Sequence, residues 1–204
     1  MCLFEQNSSV LEKIREAVKP TPIKQRIDHA TFRLRTQSNK LQRSIDQMES
    51  RESTIHEKCV KALEARDTQT ATVFANECVE VRKLLKTSVK SQICLEQAVL
   101  RLETIEQFGD MAHGMSMVKG ILGSIRGELA GKLPEISTGI GDVEDSLERL
   151  TGEIGQTIDA EGVSIPSNDE SARILREADL VAEQKMKEKF PEIPNTTAGA
   201  NKLR

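Results

Sequence analysis

Residues 23 to 108 contain neither glycine nor proline, and this uninterrupted stretch limits the possible folds more than any other feature. Both residues are the usual breaks in helices and strands. Apolar side chains recur along the stretch at intervals of seven, the spacing of a coiled-coil seam. The first series is Ile27, Leu34, Leu41, Met48, Ile55 and Ala62, and the second includes Phe74, Cys78, Val81, Leu85, Leu95, Val99 and Leu102. The pattern predicts two long helices.

The stretch "ARDTQT", residues 65 to 70, separates the two series. Asp67 or Thr68 can cap the start of a new helix there. If the chain folds back at this point, facing residues have numbers that sum to about 137, so that Cys59 meets Cys78. This register predicts an antiparallel hairpin roughly 60 Å long. A continuous parallel coiled coil is the alternative, but it leaves the turn-like residues unexplained.

The predicted architecture is all-α, and the hairpin is its largest part. Gly109 and Gly114 mark a hinge after it, and Pro134 separates two shorter amphipathic helices that pack back on the hairpin. The predicted segments are an N-terminal amphipathic segment (1–22), the basic hairpin (23–109), the shorter helices (110–158), a linker (159–168), a C-terminal helix (169–187) and a flexible tail (188–204).

Composition agrees with a helical assembly rather than a large globular core. The chain has no Trp and no Tyr, and 30% of its residues are charged. Large aromatic rings supply much of the buried area of compact cores. The N-terminus "MCLFEQNSS" lacks the basic and apolar regions of a signal peptide, and four cysteines show no CxxC spacing. These features predict a cytoplasmic protein.

Candidate catalytic and metal-binding patterns fail on inspection. The three histidines are far apart and share no metal-ligand spacing. Gly131 and Lys132 resemble a phosphate loop, but Arg126 stands where the first glycine belongs and Leu133 where Ser or Thr belongs. No nucleophile, base and orienting group can be assembled. We therefore expect neither enzymatic activity nor a cofactor.

Charge is distributed unevenly. Between residues 19 and 43 there are seven basic residues and one acidic residue, whereas residues 135 to 170 contain ten acidic residues and one basic. The basic face predicts contact with an anionic membrane surface, although a simple solvated flank fits the same pattern. Its residues are Lys19, Lys24, Arg26, Arg33, Arg35, Lys40 and Arg43, to which the N-terminal segment adds Leu3 and Phe4.

The N-terminal segment, "SSVLEKIREAVK" included, either lies in the membrane interface or packs on the hairpin. Nucleic acid is not an expected partner, because aromatic stacking residues are scarce and the net charge is −3. The opposite charges of the two regions instead predict that the acidic segment folds over the basic hairpin and restrains assembly.

Four stretches of sequence, in order, carry a resemblance to a known family. They are "KPTPIKQRIDHATFRLRTQSNKL", "ANECVEVRKLLK", "LEQAVLRLETIEQFGD" and "KLPEISTGIGDVEDSLERL". Together they resemble the ESCRT-III family, in particular the archaeal Cdv cell-division proteins of the B type, over about residues 18 to 195. The resemblance implies a basic helical hairpin, polymers with itself and with paralogous subunits on the inner face of the cell membrane, and membrane scission without catalysis by the subunit.

The same resemblance explains the stretch "FPEIP" near the end of the chain. Family members often carry a C-terminal motif that binds the MIT domain of an AAA ATPase, and Phe190, Pro191, Glu192, Ile193 and Pro194 resemble its proline-rich version. Each proline fixes φ, so the segment is already extended before it binds. A helix stop is the alternative for Pro191. The longest B-type proteins add a winged-helix segment that engages a membrane anchor, whereas ten residues follow Pro194 here, so that partner remains open.

The leading interpretation is therefore a polymer-forming, membrane-remodelling subunit in cell division. The main alternative is a coiled-coil adapter that recruits the ATPase without polymerising, and a nucleic-acid-binding helical protein is a third. Sedimentation with anionic liposomes distinguishes the first two.

Overall fold

The computed structural model describes residues 22–108, 111–157 and 167–193, and within these ranges the protein consists of helices and no strands. The helices are α1 (Ile23–Glu64), α2 (Thr68–Phe108), α3 (Met111–Leu129), α4 (Pro134–Thr157) and α5 (Ser167–Lys189). The predicted all-α architecture is confirmed. Residues 1–21 of the predicted N-terminal segment (1–22), Gly109 and most of the linker lie outside the described residues, as do residues 194–204 of the tail.

The chain folds back where the sequence predicts. Arg66 has a positive φ of 61°, and the backbone N–H groups of Arg66 and Asp67 donate to the carbonyls of Leu63 and Ala62, each at 2.9 Å. The Asp67 carboxylate accepts a hydrogen bond from the N–H of Thr70 at 3.0 Å and so caps α2. Hydrogen bonding from the side chain of Thr70, and then from its backbone, lowers the pKa of Asp67. Of the two predicted capping residues, Asp67 is the one used.

The two long helices pack against each other along most of their length. At the open end Arg35 pairs with Glu103, as a sum near 137 requires. Near the turn the Cys59 thiol donates to the carbonyl oxygen of Ala71 at 3.5 Å. Burial is the main cause of the raised pKa of the Cys78 thiol, and Cys59 is close enough to contribute to it. Cys59 therefore lies near both Ala71 and Cys78, which agrees with the predicted fold-back.

The three shorter helices cover the hairpin. Helix α3 packs on α2, α4 packs on α3 and α1, and α5 packs on α2 and α3. A single apolar cluster joins all five helices, with Leu34, Leu102, Ile121, Ile140 and Ala178 among its fully buried members. The predicted packing of the shorter helices onto the hairpin is thus confirmed. None of the described helices contains an apolar stretch that could cross a membrane.

The corner between α2 and α3 depends on glycine. A Cβ atom at Gly114 would lie only 2.5 Å from the side chain of Ile105, closer than packed atoms approach. Gly114 therefore allows α3 to turn back tightly onto the end of α2. Gly114 lies within α3 and not at a break between helices, so it does not mark the boundary of the predicted hinge.

Candidate functional site

The basic residues of α1 contact acidic residues of α4. Arg26, Arg33 and Lys40 repeat every seven positions and so lie along one face of α1. Arg33 pairs with Asp142 at 2.9 Å and Lys40 with Glu135 at 2.7 Å. Arg26 pairs with Glu153 further along. We call these three ion pairs the charge ladder, and the arrangement that contains it the closed form.

The charge ladder lies at the surface, above a buried apolar contact. The side chains of Glu135, Asp142 and Glu153 are 82%, 57% and 58% exposed. Hydrogen bonding and attraction by Lys40 lower the pKa of Glu135. Beneath the ladder, Ile27, Ala30 and Leu34 of α1 belong to the same buried cluster as Ile136, Ile140, Val143, Leu147 and Leu150 of α4. Burial of these apolar side chains therefore contributes most of the free energy that holds α4 on α1, and the ladder adds a smaller electrostatic attraction.

Helix α4 is held by basic residues on a second side as well. Glu144 pairs with Arg126 of α3 at 3.0 Å, and Glu148 pairs with Lys119 of α3 at 2.7 Å. The acidic residues of α4 are thus divided between α1 and α3. This division confirms that the acidic segment contacts the basic hairpin, as its charge predicts, while the effect of the contact on assembly stays a prediction.

Gln37 and Gly139 make the closest approach between α1 and α4. Gln37 lies on the same side of α1 as the charge ladder and is only 9% exposed. A Cβ atom at Gly139 would lie 2.5 Å from Cδ and 2.7 Å from Oε1 of Gln37. The two helices can therefore approach this closely only because residue 139 has no side chain.

The remaining predicted membrane residues are distributed differently. Arg35 pairs with Glu103 of α2 and does not face α4. Lys24 and Arg43 are exposed. Lys19, Leu3 and Phe4 lie outside the described residues. The structure therefore gathers Arg26, Arg33 and Lys40 into one surface and leaves the role of the whole set as a prediction.

The C-terminal motif begins directly at the end of α5. Helix α5 runs two residues beyond the predicted end, to Lys189, and the N–H of Phe190 still donates to the carbonyl of Met186 at 3.1 Å. Phe190 is partly buried against the apolar cluster. Pro191 and Glu192 are exposed, Ile193 is partly buried, and Pro194 lies outside the described residues.

Arg82 of α2 holds the first two residues of the motif. Its guanidinium carbon lies 5.3 Å from the centre of the Phe190 ring, and its Nη1 donates to the carbonyl of Pro191 at 2.7 Å. Its Nε donates at 2.7 Å to Glu52 of α1, whose side chain is only 3% exposed. We expected residues 188 to 195 to be mobile and extended in the free protein. The structure corrects this expectation for residues 188–191, because Arg82 and the end of α5 hold them on the hairpin.

The sequence interpretation missed Glu52 and Arg82. One signal could have identified Glu52, because it falls on the apolar seam between Met48 and Ile55, where a carboxylate needs a cationic partner. The part of the chain that the structure describes contains no group of three or more His, Cys, Asp or Glu side chains that could hold a metal ion.

Comparison with known proteins gives matches over most of the chain. The Snf7 family profile matches residues 29–199. Cell division protein B1 of Sulfolobus acidocaldarius is 34% identical over 183 residues, which cover 90% of this chain and 86% of that protein. Cell division protein B of the same organism is 23% identical over 193 residues, which cover 95% of this chain and 73% of that protein. No solved structure matches.

Proposed function

The chain belongs to the Snf7 (ESCRT-III) family, and on this premise we propose that it polymerises on anionic membrane and remodels or severs it during cell division. Its place would be the inner face of the cell membrane at the division site. Its partners would be further copies of itself, paralogous subunits, an anionic membrane surface and the MIT domain of an AAA ATPase that disassembles the polymer. No catalysis by the subunit is required.

The charge ladder is the observation that carries this proposal. Arg26, Arg33 and Lys40 form a basic row, and each is matched to a carboxylate of α4. A row of cations attracts anionic headgroups. In the closed form the carboxylates occupy that row, so a membrane surface has to replace α4. Detachment of α4 therefore couples membrane binding to a change in shape, which a polymerising subunit requires.

The weakness of exposed ion pairs makes this exchange feasible. Water screens pairs such as Arg33–Asp142, so little electrostatic free energy is lost when they separate. The buried contact beneath the ladder is the larger barrier.

The experiment compares three chains: the full chain, a chain that ends after Lys132, and a chain that lacks only residues 188–204. Each is sedimented with anionic liposomes and imaged by electron microscopy with and without liposomes. Removal of α4 and α5 should increase membrane binding and polymerisation, whereas removal of the tail alone should leave both close to those of the full chain.

Two outcomes would contradict the proposal. If the three chains bind and assemble equally, α4 does not restrain the hairpin and serves only as a solubilising surface. If none binds anionic liposomes or forms polymers while the ATPase domain is still bound, the protein is the non-polymerising adapter.

A further inference from the structure

Arg82 connects three parts of the protein. It belongs to α2, pairs with Glu52 of α1 and contacts both Phe190 and Pro191 beyond α5. Its side chain is 17% exposed and that of Glu52 is 3% exposed. A carboxylate so deeply buried requires a cation beside it. Glu52 therefore helps to fix the position of the Arg82 guanidinium against the motif.

Arg82 contacts the motif at its aromatic ring, Phe190, and at the backbone carbonyl of its first proline, Pro191. The guanidinium covers the Phe190 ring, a geometry in which a cation is attracted by an aromatic face. It also donates to the Pro191 carbonyl, and a hydrogen bond from a charged donor is among the stronger ones. Proline has no N–H of its own, so its carbonyl is the polar group by which its backbone can be held.

Ion pairs along α5 bring the motif to Arg82. Lys86 lies 3.4 Å from Asp179 and 3.5 Å from Glu183, and Lys189 pairs with Glu49 of α1 at 2.6 Å. Val79 and Met186 line the groove beside Phe190, and Ile193 reaches its edge. The surface of α2 around Arg82 is thus complementary in charge and shape to the end of this same chain.

We propose that Val79, Arg82 and Lys86 form an internal docking site for the motif, and that this site competes with the ATPase domain for Phe190 independently of the charge ladder. The competition rests on the proposed function of the motif, while the docking site itself rests only on the contacts above. A Phe190 ring held under Arg82 cannot also fill a pocket on another protein. The apparent affinity for the ATPase domain equals the intrinsic affinity multiplied by the fraction of chains in which the motif is free.

The two contacts are separate in the structure. The charge ladder joins α1 to α4, whereas the docking site joins α2 to the end of α5. They share no residue. The surface that would meet membrane and the motif that would meet the ATPase can therefore be released one at a time, and release of one does not require release of the other.

The test removes the docking cation without leaving a buried charge. In the double variant Glu52→Gln, Arg82→Gln both members of the pair become neutral amides that can still hydrogen-bond. The matched control is Arg51→Gln, Glu77→Gln, which removes the neighbouring α1–α2 ion pair (2.6 Å, 65% and 38% exposed) with the same change in charge. Affinity for the purified MIT domain of the ATPase is measured for each full chain and for a peptide of residues 185–197.

The peptide should bind about tenfold or more tightly than the full chain, because its motif is always free. The Glu52→Gln, Arg82→Gln chain should approach the affinity of the peptide, and the control should bind like the native chain. Sedimentation with anionic liposomes should be unchanged by either double variant. A native chain that binds as tightly as the peptide would overturn the docking site. A variant that gains both MIT affinity and liposome binding would overturn its independence of the charge ladder.

A second measurement does not depend on the ATPase. The chain has no Trp and no Tyr, so Phe190→Trp introduces its only strongly fluorescent side chain. In the native background acrylamide should quench this indole less than it quenches the same substitution in the peptide. With Glu52→Gln, Arg82→Gln the quenching should rise to that of the peptide. Equal quenching in both backgrounds would overturn the docking site, whereas failure of the peptide to bind the MIT domain would refute only the ATPase part of the proposed function.

Discussion

Gly139→Ala should open the closed form. The added Cβ would lie 2.5 Å from Cδ of Gln37, which is 9% exposed, so the amide end of Gln37 has to shift away. Overpacking costs typically about 1–3 kcal/mol, and a cost near the lower end, about 1 kcal/mol, is expected where the end of a flexible side chain can shift. Alanine also raises helix propensity by about 1 kcal/mol relative to glycine. That gain applies to α4 whether or not it is docked, so it does not alter the balance between the two forms.

The clash exists only when α4 lies on α1, so its full cost shifts the balance. A cost of about 1 kcal/mol corresponds to a roughly 5-fold lower ratio of closed to open chains. Hydrogen exchange of α4 amides measures this ratio directly, and sedimentation with anionic liposomes reports the release of the basic row. Both should rise in Gly139→Ala at unchanged salt and lipid composition.

Two further variants make the test specific. Gly152→Ala adds the same methyl group to the same helix, but nothing lies within 4 Å of it, so it should leave exchange and sedimentation unchanged. Gln37→Ala removes the atoms that the new methyl group meets, so Gln37→Ala with Gly139→Ala should restore the closed form. If Gly139→Ala behaves like Gly152→Ala, or if Gln37→Ala does not restore the closed form, the assigned contact between α1 and α4 is wrong.

Three other predictions address the ladder and the hairpin. Replacement of the three acidic residues of the ladder by Lys should increase liposome binding, whereas replacement of its three basic residues by Glu should abolish it. Both variants should keep their helicity by circular dichroism. Unchanged binding in the second variant would assign the membrane contact to the N-terminal segment instead. The pKa of Glu135 is lowered below 4.5 by Lys40, so this pair stabilises the closed form above that value and is lost as pH falls through the depressed pKa; α4 exchange, corrected for the intrinsic pH effect, should rise below about pH 4.5, and Glu135→Gln should remove that contribution. Mild oxidant should link Cys59 to Cys78 within one chain, slowly, because burial raises the pKa of Cys78 to about 11; mass spectrometry of the monomer detects the link, and its absence in a highly helical chain would contradict the predicted proximity.

The hairpin could be predicted because its information is periodic. Apolar residues such as Leu34 and Leu102 recur at a regular spacing along the seam, so a polar residue at one position, such as Ser88, does not hide the helical pattern. The turn was predictable because Asp67 is a strong capping residue between the two series. The attraction between α4 and α1 was predictable from their opposite charges, but the residue pairs that form were not, since charge alone does not specify partners.

The Arg82 contacts could not be predicted in the same way. Arg82 and Pro191 are 109 residues apart, and their approach depends on where α5 packs after the undescribed residues 158–166. No repeat connects the two positions. Gly139 could not be interpreted fully either. The sequence indicates a residue of low helix propensity within a helix, but it does not indicate that the side chain of Gln37 lies where a Cβ atom would otherwise be.

The charge ladder has a consequence for how sharply the protein would respond to a bilayer. Each basic residue of the ladder already has an anion beside it, so a membrane gains only the difference between its own attraction and that of α4. Both attractions are weak and of similar size, since one is an exposed ion pair and the other a contact with lipid headgroups. On the proposed function, the three basic residues would therefore compare the negative charge density of the membrane with that of α4. Release of α4 also exposes the buried apolar contact beneath the ladder, so sparse anionic lipid would leave the protein closed and only a densely anionic surface would open it.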